Sequence, residues 1–70
     1  MHKQNNMAID FNKLDKQLTG GIAAMGRGEK APKEVAPLLN QMKGVDLPAY
    51  EKHLEEYKIQ LANYKAINNQ

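Results

Sequence analysis

Four glycines fall within the ten residues TGGIAAMGRG, Thr19 to Gly28. Two of them, Gly21 and Gly26, have the spacing that opens the phosphate-loop pattern G-x-x-x-x-G-K-[ST]. In that pattern a lysine follows for the β- and γ-phosphates and then a hydroxyl for magnesium. Here the next residues are Arg27 and Gly28. Arginine can hold a phosphate, but glycine offers the metal nothing. The preceding FNKLDKQL has the period of an amphipathic helix, whereas a phosphate loop needs a buried strand to position it. Nucleotide binding is therefore not expected at this stretch, which reads instead as a joint or as a packing surface.

For acid–base chemistry the chain offers Asp10, Asp15, Glu51, Glu55, Glu56 and two histidines. Glu51 and Glu55 are one helical turn apart, but Lys52 and Lys58 accompany them, as on a salt-bridged, solvated surface. His2 belongs to a polar tail. His53 has no second histidine or cysteine at ligand spacing, so no metal site is expected. The chain lacks serine and cysteine, and Thr19 is its one hydroxyl besides tyrosine, which removes the usual nucleophiles. Neither a catalytic residue nor a cofactor site is expected, and the protein does not read as an enzyme.

The elements that carry these residues all repeat apolar positions at helical intervals, and nothing alternates with the period of two of a half-buried strand. The fold class is all-α, a hairpin or bundle of two or three helices over about 10–26, 34–43 and 48–67, with a long amphipathic helix last. Residues 1–9 read as a polar tail and 10–70 as one small domain. The first helix has Asp10 as N-cap, with Ile9 and Leu14 placed to close a hydrophobic staple. Phe11, Leu14, Leu18, Ile22 and Met25 form one stripe. Gly20 and Gly21 interrupt it, each costing about 1 kcal/mol relative to alanine inside a helix. Either the helix ends near Thr19 with Gly20 as a left-handed cap, or it runs on to about Met25, which continuity of the stripe favours. In the second case Gly20, Ala24 and Gly28 make a ridge of small residues against which another helix can pack. In the first, Gly20 and Gly21 are a hinge.

The second helix places Val35, Leu38, Leu39 and Met42 on one face and stops at Gly44. Pro32 suits a first helical position, and a regular part starting near Glu34 puts Pro37 in the first turn, where its missing donor costs nothing. The third helix has Asp46 near its cap, Pro48 in its first turn, acids early and Lys65 late, as the helix dipole favours. Tyr50, Leu54, Tyr57, Leu61 and Tyr64 form a heptad seam of about two heptads. A tyrosine hydroxyl needs water or a partner, so the seam suits a half-wet interface. Ile59 falls on the opposite side of the helix, with Ala62 and Ala66 on its flank. It reads either as a second contact surface or as a single exposed isoleucine.

Seventy residues support a marginal core, and without cysteine no disulfide can staple it. Good helix packing or a partner chain must supply the rest. The longest unbroken apolar run, Ile22–Met25, is far too short to span a bilayer, and no apolar stretch follows the basic start as in a secretory signal. Localisation stays open. Charge is uneven: residues 1–33 carry six basic and three acidic residues, and 34–70 carry four and five. The basic front half makes nucleic acid an alternative partner, through Arg27, Lys30 and Lys33. A helix-turn-helix on the second and third helices, with Gly44 and Val45 in the turn, fits poorly. Its recognition helix would present Glu51, Glu55 and Glu56 to phosphate.

The stretch LPAYEKHLEEYKIQLANYKAINN, about a third of the chain, resembles in texture the helix after the central turn of type III secretion needle subunits, small helical hairpins that stack into a tube. The turn here lacks that family's paired prolines, and the chain stops where those subunits continue into a final helix. What the resemblance implies is an assembling helical subunit. The residues themselves lead to a small protein-binding module, self-assembling or acting as a compact inhibitor or adaptor. Its expected interface is Tyr50, Leu54, Tyr57, Ile59, Leu61 and Tyr64.

Overall fold

The computed structural model describes residues 10–69, and these form three helices: α1 (Phe11–Gly26), α2 (Pro32–Val45) and α3 (Leu47–Asn68). Each helix touches the other two, so the architecture is an all-α three-helix bundle. Ile9, one half of the expected staple, and the tail before it lie outside the described residues.

α1 begins where Asp10 accepts hydrogen bonds from the backbone N–H groups of Asn12 (3.0 Å) and Lys13 (3.3 Å). It then runs unbroken through Gly20 and Gly21. The apolar stripe explains the continuity: Leu14, Leu18, Ile22 and Met25 are all buried, and packing on both sides of the glycine pair outweighs its low propensity. The helix ends in a Schellman motif. Gly28 N–H donates to Met25 O (3.0 Å) and Glu29 N–H to Ala24 O (2.8 Å), with Gly28 at φ +80°. That left-handed position is one glycine occupies without Cβ strain.

α2 starts two residues earlier than the expected Glu34. Pro32 takes the first helical position, and the Glu34 carboxylate reaches back to accept from Ala31 N–H at 2.9 Å, the return half of a capping box. Pro37 consequently lies inside the helix rather than in its first turn. α2 also runs through Gly44 to Val45, and the stop falls at Asp46 instead. Asp46 is extended, at φ −156°. Its N–H donates to Met42 O (2.8 Å) and its carboxylate accepts from Ala49 N–H (3.0 Å). One residue thus closes α2 and caps α3.

The core combines the stripes of α1 and α2. Leu18, Ile22, Met25, Val35 and Met42 are its largest fully buried side chains, each contributing about 1.5–3 kcal/mol by burial. The α3 seam, Tyr50, Leu54, Tyr57, Leu61 and Tyr64, packs against this cluster but stays half-exposed. Among the described residues no helix is long and apolar enough to cross a membrane.

Candidate functional site

The one buried residue of α3 is polar: His53, 9% exposed. Its Nε2 lies 2.6 Å from Asp15 Oδ1 of α1, and the Asp15 side chain keeps 42% of its surface. This pair is the polar joint between the first and last helices. Sequence reasoning missed it, although a signal was present. His53 lies three residues after Tyr50 and four before Tyr57, on the flank of the seam. Asp15 lies four after Phe11, on the flank of the α1 stripe. A histidine and an acid on two apolar faces of one bundle are natural partners. Thr19 does not extend the pair into a catalytic chain, because its hydroxyl donates back to Asp15 O at 2.9 Å within α1.

Above this joint an open groove of about 550 Å³ runs between α1 and α3. Phe11, Ile22, Ala23 and Ala49 are its apolar lining, and Asp15, Lys52 and Glu56 supply its charges. Phe11, first residue of the expected stripe, is 37% exposed at its mouth. Further along α3, Gln60 lies over Gly26, where a Cβ would fall within the Gln60 side chain.

A second groove, of about 350 Å³, lies between α1 and α2. Gly20, Gly21, Leu38 and the fully buried Val35 line it, and its charged residues are Lys16, Lys30 and Glu34. The expected ridge of Gly20, Ala24 and Gly28 is corrected here. Ala24 is buried, but Gly28 lies past the helix end, and it is Gly21 that faces α2, its Cβ position 3.6 Å from Val35 Cγ2. Gly20 points outward with nothing within 4 Å. Gly21 and Gly26 are both helical and do not form a loop.

The residues of the expected interface divide between two faces. Tyr50, Leu54, Tyr57, Leu61 and Tyr64 face the bundle, and the Lys43 ammonium lies 5.6 Å from the Tyr50 ring centre, tying α2 to the start of the seam. Ile59 stands on the outer face of α3, 57% exposed. Two of the three basic residues of the nucleic-acid alternative are answered by acids nearby. Arg27 meets Glu29 at 3.0 Å and Lys30 meets Glu34 at 3.8 Å, while Lys33 is exposed. The hydrogen bond between Arg27 and Glu29, and then their mutual charge, lift the guanidinium above its usual range and hold the carboxyl below its own. Both groups are solvated, so the pair adds little to stability.

The chain matches no family model, and neither the curated proteins nor the solved structures contain a match to it.

Proposed function

We propose that this protein works by binding other protein chains, not by catalysis, as an assembling subunit or as a compact inhibitor or adaptor. The observation that carries the reading is the state of α3. Of its 22 residues only His53 is buried, so the longest helix of the bundle keeps apolar surface on two sides. Tyr50, Leu54, Tyr57, Leu61 and Tyr64 are half-exposed along the seam, and Ile59 is exposed opposite them. Tyrosines that keep one edge wet are well suited to protein interfaces, because the ring supplies area and the hydroxyl keeps a partner.

A photo-crosslinking amino acid in place of Ile59, in the cells that make the protein, tests the reading. A control carries the same group at exposed Gln41 of α2. Discrete protein adducts at position 59 and not at 41 are expected. No protein adduct at 59, or adducts that disappear with nuclease treatment, would contradict it.

A further inference from the structure

We infer that the α1–α3 groove is the seat of the residues that precede it in the same chain. Met7, Ala8 and Ile9 turn back from Asp10 and lie over the His53–Asp15 joint. This goes beyond the protein-binding reading and concerns a different surface, since Ile59 stands on the outer face of α3.

Connectivity selects this occupant. Asp10 caps α1 in an extended conformation, at φ −76° and ψ 108°, and the next residue, Phe11, lines the groove and keeps 37% of its surface. The preceding chain therefore starts at the groove mouth. A segment tethered there faces the groove at an effective concentration on the order of millimolar, which a separate chain matches only when it is itself that concentrated. The α1–α2 groove is a poorer seat for the same segment. Its lining on α1 begins at Lys16, more than a turn farther from Asp10, and Val35 within it is fully buried.

Length and pattern agree. Along α1 the lining runs from Phe11 to Ala23, about 18 Å at the rise of a helix. Three extended residues cover about 10 Å. That brings Met7 level with the stretch between Asp15 and Thr19, where His53 and Glu56 line the facing wall. Met7 and Ile9 are two positions apart, so an extended chain turns both side chains to one side, and polar Gln4, Asn5 and Asn6 come before them. Ile9 then lies against Phe11 and Ala49 at the mouth, and the adaptable Met7 side chain reaches toward Ile22. The Asp15 side chain keeps 42% of its surface in the open groove. An apolar cover removes water from its 2.6 Å contact with His53 and strengthens the tie between α1 and α3.

The chain contains no cysteine, so disulfide trapping reads the place of position 7 directly. One variant of the full chain carries Met7→Cys with Glu56→Cys, in the α1–α3 groove. The other carries Met7→Cys with Gln17→Cys, in the α1–α2 groove and level with the expected place of Met7 along α1. Glu56 and Gln17 are both exposed, and helical circular dichroism equal to that of the wild type verifies the fold of each variant.

In oxidised glutathione, at low protein concentration, ring closure within one chain is read by mass as the loss of two hydrogens. The 7–56 pair is expected to close about tenfold faster than the 7–17 pair. Adding Ile9→Asp to the 7–56 variant is expected to remove that advantage. A segment with no seat in the groove would reach position 17 at least as readily, so closure of 7–17 at an equal or greater rate would overturn the inference. An advantage unchanged by Ile9→Asp would overturn it too. So would bonds formed between chains instead of within one, which would give the groove to a second copy.

Discussion

The glycines of TGGIAAMGRG do different work, and their substitutions separate by sign. Gly20 is helical and open, so Gly20→Ala should raise stability by about 1 kcal/mol in a denaturant titration. Gly28 closes α1 at φ +80°, and Gly28→Ala should lower stability by about 1 kcal/mol. Equal and like-signed effects would contradict this assignment. The His53–Asp15 pair is also testable at this scale. A double-mutant cycle with His53→Ala and Asp15→Ala should give a coupling of about 1 kcal/mol, reduced from that of a fully buried pair because Asp15 is half in water. A coupling near zero would mean that the 2.6 Å contact holds nothing together. Residue types in one dimension could show that Gly21 and Gly26 lack a phosphate loop's lysine and hydroxyl. They could not show that His53 meets Asp15, because the two residues are 38 positions apart and meet only through the relative placement of α1 and α3.

At the scale of elements, the apolar periods of α1 and α2 located the core, and Leu14, Leu18, Ile22, Met25, Val35, Leu39 and Met42 are all buried. The long reach of α1 through its glycine pair was legible for the same reason. The start of α2 was misplaced by local chemistry at Ala31–Glu34, where Pro32 and the returning Glu34 carboxylate set the first turn before any apolar residue appears. Pro37, left inside the helix, removes a donor to the carbonyl of Lys33. Pro37→Ala should therefore stabilise the protein, by about 2 kcal/mol after the greater freedom of the unfolded chain is counted. A destabilised variant would mean that the proline is needed to shape α2. Asp46 joins two helices through a single residue, and Asp46→Ala should cost about 1 kcal/mol through loss of the α3 cap. Thermal unfolding followed by circular dichroism reads both.

For the whole molecule, α3 gives the account its direction. Periodicity showed its two apolar faces, but whether the seam of Tyr50, Leu54, Tyr57, Leu61 and Tyr64 would be consumed by the bundle depended on how much surface α1 and α2 offer. They cover it only in part, and they leave Ile59 exposed on the far side. Amide hydrogen exchange of the full chain, with and without the proteins that crosslink to position 59, tests this most directly, because it locates protection as well as detecting it. Added protection is expected in Ile59–Ala66 of α3, where Ile59 is exposed, and should vanish in Ile59→Glu. Exchange that is the same with and without them, or protection confined to the Phe11 mouth of the α1–α3 groove, would contradict it.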